Sequence, residues 1–196
     1  MTRRIPLIGA LALLALAVLA AGGCGSSDEG GGGEPPPNYA KALAGAPPKL
    51  AALHAQENEL LPGGQDAYEK RIAELRGYPI VANAWASWCG PCRYEFPALQ
   101  ELAARYGKRV AFIGINSEDS DREAARFLSQ EPVPYPSYSD PDKDIHGSIG
   151  ATGLPDTAFY DRRGELCYVK IGAYRDHSEL EEDVREIASQ DECESG

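Results

Sequence analysis

Residues 86–97 read A-S-W-C-G-P-C-R-Y-E-F-P, and the two cysteines in that stretch constrain the fold more than any other feature of the chain. They fall on the border between two hydrophobic patterns. Before them, P-I-V-A-N-A-W at residues 79–85 is a short apolar run bounded by turn residues, as a strand buried on both faces would be. After them, residues 90–106 align Phe96, Leu99, Leu102 and Ala103 along one helical stripe. Cys89 and Cys92 therefore belong to a strand-to-helix corner. Pro91 suits the first turn of that helix, where its missing N–H removes no bond. Gly90 keeps side-chain bulk away from the sulfurs.

Three chemistries use a close cysteine pair. A structural zinc site needs two further ligands, and Cys167 and Cys193 are far apart while His146 and His177 lack ligand spacing. No metal is expected. A purely structural disulfide across two residues closes too small a loop to restrict the unfolded chain much. Thiol–disulfide exchange fits the corner directly. Amides at a helix N-terminus stabilise a thiolate, which makes Cys89 the nucleophile and Cys92, one turn in, the resolving thiol.

The compartment decides whether such sulfurs persist oxidised. Thr2-Arg3-Arg4 is a short basic start, and residues 7–21 are an almost unbroken apolar run. That run is shorter than the roughly 20 residues a bilayer span needs, but suits a secretory leader. It ends in L-A-A-G-G-C, with small residues leading into Cys24. The segment resembles a bacterial lipobox, with Ala21 where leucine is usual, and implies lipidation of Cys24 after cleavage. A simple signal peptide cut nearby, or an uncleaved anchor, would also place the folded part outside the cytoplasm. Charge limits the partners. With 19 Lys and Arg against 30 Asp and Glu the net charge is −11, and loss of Arg3 and Arg4 makes it more negative still. Such a surface repels phosphate backbones, so no nucleic acid is expected.

Helical spacing is visible over residues 40–53 and 65–76, and V-A-F-I-G-I at 110–115 reads as a second buried strand. Residues 121–130 form an amphipathic helix capped by Ser120 or Asp121. A Pro-rich loop leads to a short strand near Ser137, and residues 142–149 read as a helical stretch. D-R-R-G separates strands at 157–160 and 166–171 as a hairpin turn, and residues 178–187 close the domain as a helix. This order describes an α/β fold with a mixed sheet flanked by helices.

W-C-G-P-C, with Trp85 before it and Pro97 behind it, resembles thioredoxin. So do G-L-P-D-T at residues 153–157, the D-R-R-G hairpin, and I-G-A-Y at 171–174 before the last helix. Three departures narrow the likeness. Asn83 stands where thioredoxin keeps a buried aspartate, no partner lysine occurs within 110–115, and the stretch from Asn116 to Pro155 is longer than the minimal fold needs. Together with C-R-Y-E-F-P these features resemble the TlpA/ResA branch of envelope thiol–disulfide oxidoreductases.

That resemblance implies a thioredoxin-like fold with a helix and strand inserted before a cis-proline at Pro155. The expected division is a leader (1–23), a lipidated Cys24 with a Gly/Pro tether (24–37), a helical extension (38–76), the thioredoxin-like domain (77–190) and a tail (191–196). Cys89, Cys92, Glu95 and Pro155 form the expected catalytic set, supported by Trp88, Gly90, Pro91 and Leu154, whose backbone would pair with a substrate strand. An ordinary trans loop proline is the alternative for Pro155. Glu95 shares a helical face with Cys92 and Leu99, so burial should raise its pKa and let it carry the Cys92 proton. The alternative is an exposed glutamate beside Arg93. Cys167 and Cys193 are expected to pair in an oxidising compartment; the alternative is an inert Cys167 and a free Cys193.

The implied activity is disulfide reduction, such as keeping apocytochrome c cysteines reduced, without any cofactor beyond the Cys89–Cys92 dithiol. The implied partners are disulfide-bearing envelope proteins and a membrane electron donor, and the chain is expected to be a lipid-anchored monomer on the outer face of the cell membrane. Disulfide oxidation of the DsbE kind, peroxide reduction and a non-catalytic binding module are the rivals. Peroxide reduction lacks its P-x-x-x-T-x-x-C setting around Cys89.

Overall fold

The computed structural model describes residue 2 and residues 36–193. The leader, the Cys24 lipidation site and nearly all of the tether lie outside the described residues. Seven helices are described: α1 (Tyr39–Ala42), α2 (Pro48–His54), α3 (Gly64–Glu74), α4 (Gly90–Tyr106), α5 (Asp121–Gln130), α6 (Asp144–Ser148) and α7 (His177–Ser189). The strands are β1 (Leu60–Leu61), β2 (Ile80–Trp85), β3 (Ala111–Ser117), β4 (Ser137–Asp140), β5 (Asp156–Tyr160) and β6 (Leu166–Ile171).

The sheet runs in the order β1-β4-β3-β2-β5-β6. β1, β4, β3 and β2 are parallel neighbours, whereas β5 is antiparallel to β2 and β6 to β5. β2 is central, and all six of its residues are buried. Strand alternation then sorts its side chains between two cores. Ile80, Ala82 and Ala84 join Leu50, Leu53, Tyr68, Ile72 and Ile145 on one face. Val81 and Trp85 join Phe96, Leu99, Phe127 and Val184 on the other. The Trp85 ring meets Phe96 edge-on at 5.2 Å, and its indole N–H donates to Ser137 Oγ at 3.2 Å. Asn83 follows Val81 and Trp85 by the same alternation, so it lies on the α4 side.

The insertion consists of α5 and β4. Ser120 caps α5 by accepting the Glu123 N–H, and β4 slots into the sheet between β3 and β1. The fold is therefore thioredoxin-like, with a mixed sheet, flanking helices and an added helix and strand ahead of β5.

Two elements differ from the sequence expectation. Residues 40–53 are two short helices rather than one. The chain turns at Gly45, which has φ 75°, and Pro47-Pro48 restarts the helix with Pro48 in its first turn. β1 is an additional two-residue edge strand, Leu60 and Leu61 pairing with Ser137 and Tyr138.

The first two helices are tied to the far end of α4. His54 lies between two carbonyls, with Nε2 2.8 Å from Gly107 O and Nδ1 3.0 Å from Pro134 O. Lys108 Nζ donates to Ala44 O at 3.1 Å. Glycine suits position 107, because a Cβ there would collide with the Ala103 backbone carbonyl as well as meet Leu43 Cδ2 at 2.7 Å. Among the described residues no helix is long and apolar enough to cross a membrane.

Candidate active site

β2 ends at Trp85, and four residues later Cys89 becomes the N-cap of α4. Its backbone is extended, and its Sγ accepts the Cys92 N–H at 3.2 Å. The two sulfurs are bonded to each other, with Cα atoms 5.3 Å apart. Cys89 is 4 % exposed and Cys92 1 %, whereas Trp88 on the rim is 60 % exposed. Gly90 and Pro91 are also exposed, leaving the outer side of the disulfide uncluttered.

The corner is braced by residues just beyond β3. Asp119 accepts the Ser87 N–H at 2.6 Å, the Ser87 hydroxyl at 3.0 Å and the Asn116 amide at 3.1 Å. The Trp88 indole donates to Glu118 O at 2.9 Å.

Glu95 is 2 % exposed, so it is not a surface charge beside Arg93. Arg93 itself is exposed and lies over the Phe127 ring at 5.2 Å. Glu95 Oε1 accepts the Tyr174 N–H at 2.6 Å. Burial pushes the Glu95 carboxyl up to about 7. The Tyr174 amide, the Lys170 charge and the Asn83 amide pull the other way, and the Asp156 charge adds to the push. Asn83, in place of an acid, donates to Thr157 Oγ1 at 3.1 Å.

The Leu154–Pro155 peptide bond is cis, not the trans alternative, and Pro155 is buried. The β2–β5 register pairs Ala84 with Asp156, so Pro155 stands just ahead of β5, at the end of the sheet where β2 runs into the cysteine corner. Leu154 is half-buried and packs against both cores. Two buried side chains fix this loop. His146 Nε2 lies 2.8 Å from Gly153 O, and Asp156 Oδ2 accepts the Thr152 and Gly153 N–H groups at 2.7 and 2.9 Å. Sequence reasoning missed Asp119, His146 and Asp156. Asp156 alone had a visible signal, a carboxylate next to the proline in G-L-P-D-T.

Cys167 on β6 and Cys193 in the tail form a second disulfide, with Cα atoms 5.3 Å apart. Beside it Asp161 accepts the Cys193, Arg163 and Glu165 N–H groups. Burial opposes ionisation of Asp161, but these donors hold its carboxyl below the usual range. Asp161, Cys167 and Cys193 are the one trio of metal-capable side chains among the described residues, and its two sulfurs are bonded to each other.

A dithiol capping the helix that follows the central strand, with a cis-proline on the adjoining antiparallel strand, is the site of a thioredoxin-fold protein. The Redoxin family model matches residues 48–184, and the chain belongs to that family. It is 39% identical over 101 residues to the thiol:disulfide interchange protein DsbE of Pseudomonas fluorescens biotype C, covering 51% of this chain and 55% of that one. It is 28% identical over 102 residues to the thiol-disulfide oxidoreductase ResA of Bacillus thuringiensis, covering 52% and 59%. The matched stretch is thus less than two thirds of either relative. Among solved structures, DsbF of MTB superposes with a TM-score of 0.54 at 30% identity, over 58% of this chain and 83% of that one.

Proposed function

We propose that this chain is an extracytoplasmic thiol–disulfide oxidoreductase, held to the membrane through lipidated Cys24 and acting as a disulfide reductase. The observation that carries the activity is Cys89 Sγ at the N-cap of α4, accepting the Cys92 N–H. That position favours negative charge on this sulfur. The names of the DsbE and ResA relatives support the same chemistry.

In the reduced enzyme the Cys89 thiolate attacks one sulfur of a partner disulfide. A Cys89–partner bond forms, and the other partner sulfur leaves as a thiolate. Cys92 then loses its proton to Glu95 and attacks Cys89 Sγ. The Cys89–Cys92 bond forms, the second partner sulfur leaves, and two electrons have passed to the partner. A membrane dithiol donor returns them. The TlpA/ResA resemblance supports disulfide-bearing envelope proteins as substrates, apocytochrome c among them, and a monomeric enzyme that needs no cofactor.

Two measurements test the activity and its direction: insulin reduction with dithiothreitol, and the equilibrium potential of Cys89–Cys92 against glutathione. A reductase should lie near the thioredoxin value of about −270 mV. A potential near about −120 mV would make the chain an oxidant, and no insulin reduction would remove the enzymatic assignment.

Glu95→Gln separates function from stability. Glutamine cannot take the Cys92 proton, so exchange at pH 7 should slow on the order of 10²-fold. Stability should move the other way. Unfolded, Glu95 ionises near its ordinary value of 4.5; folded, it does so only at about 7. Wild type therefore loses stability as pH rises through that window, and the glutamine variant does not. The variant should match wild type below pH 4.5 and exceed it by about 2–3 kcal/mol above pH 7 in urea melts of the oxidised protein. Equal exchange rates across neutral pH would leave Glu95 no part in the chemistry.

A further inference from the structure

Asp156 is fully buried and joins two loops that are distant in sequence. Its Oδ2 accepts the Thr152 and Gly153 N–H groups at 2.7 and 2.9 Å, and its Oδ1 accepts the Gly172 N–H at 2.7 Å. The first loop carries Pro155. The second carries Tyr174, whose N–H donates to Glu95 at 2.6 Å. Among the described residues Asp156 is the one side chain bonded to both loops. A carboxylate suits that place because both of its oxygens accept, and its bonds to backbone N–H groups are charge-assisted. An asparagine could serve one loop, but its NH2 would then face the N–H of the other.

We propose that Asp156 is a positioning residue for disulfide exchange: it locks the Pro155 loop to the Tyr174 loop and so sets where Glu95 stands against the dithiol. The proposal rests on the oxidoreductase reading above. Lys170 completes the second loop, with Nζ donating to Gly172 O at 2.9 Å and lying 4.6 Å from the Tyr174 ring centre. The groups facing Glu95 are then Lys170 of β6, Asp156 of β5, the Asn83 amide of β2, and Tyr174, whose hydroxyl donates to Asp183 of α7 at 2.5 Å. Of these, the Asp156 charge pushes the Glu95 carboxyl up and the Lys170 charge pulls it down.

The test compares wild type with Asp156→Asn, both oxidised, by carbon-13 NMR titration of Glu95 and by amide hydrogen exchange, alongside insulin reduction. Loss of the Gly172 bond should let the Tyr174 amide exchange about tenfold faster or more, since a bond to a charged group is lost. Glu95 should titrate at lower pH without the Asp156 charge. Insulin reduction should fall about tenfold or more through misplacement of the proton acceptor. A folded Asp156→Asn with wild-type Tyr174 exchange and wild-type Glu95 titration would overturn the proposal.

Should Asp156→Asn fail to fold, wild type decides alone. Locked loops require the Thr152, Gly153, Gly172 and Tyr174 amides to open together as denaturant is raised. Independent opening of the two pairs would overturn the linkage. A wild type that reduces no insulin removes the enzymatic reading, while both NMR measurements still decide whether Asp156 joins the loops.

Discussion

Cys89→Ser should reduce insulin no faster than the uncatalysed background, whereas Cys92→Ser should accumulate mixed disulfides with partner proteins through Cys89. The asymmetry follows from where each sulfur sits. Cys89 Sγ accepts the Cys92 N–H in the first turn of α4 and is the more exposed of the two. Cys92 lies a turn inside, 1 % exposed, and can act only on a bond already made to Cys89. Without Cys92 the first attack still proceeds, but nothing resolves the product. Cys89→Ser, Cys92→Ser and the double variant should share one residual multi-turnover rate, since groups acting as a unit lose activity together. Non-reducing gels after trapping in whole cells would show the difference, and equal trapping by both single variants would contradict the assignment of the nucleophile.

Removing the second disulfide should have the largest effect on stability. Cys167 and Cys193 are separated by 26 positions, and closing a loop of that size in the unfolded chain is worth about 3–4 kcal/mol by the chain-entropy account. For a domain of this size that corresponds to a melting point lower by about 6–16 °C. Among the described tail residues the other ties are the Cys193 N–H to Asp161 at 3.2 Å and two ion pairs. Arg162–Asp191 at 2.9 Å and Arg163–Glu192 at 3.5 Å are solvent-facing pairs, each worth about 1 kcal/mol at most. The double alanine variant should therefore melt early while reducing insulin at a wild-type rate at 25 °C. An unchanged melting point would mean that the bridge constrains nothing.

The parts of the fold legible in the sequence were those in which burial is periodic. The runs around Val81 and Phe112 marked the central strands, and the stripe from Phe96 to Ala103 marked α4. Periodicity reports burial, however, and not continuity of the backbone. Leu43, Leu50 and Leu53 are all buried, so their spacing suggested one helix although the backbone breaks at Gly45 and Pro47. β1, two residues long, has no period to detect. Within the site, the cysteine corner, Glu95 and Pro155 were visible because each belongs to a local motif. Asp119 and His146 were not, and Asp156 only as a carboxylate beside the proline, because each is defined by the groups it bonds, Ser87 and Asn116, Gly153 O, and the Thr152, Gly153 and Gly172 N–H groups respectively, and not by a period. A buried polar side chain is explained by what it satisfies, and spacing carries no record of that.

The docking of α1 and α2 against Gly107 and Lys108 governs how the molecule presents itself. The chain enters the folded domain beside the C-terminal end of α4, while Cys89 caps the other end, and a helix of 17 residues measures about 25 Å. The helical extension and the reactive sulfurs therefore meet α4 at opposite ends, and α1 and α2 leave the cysteine end uncovered for a client.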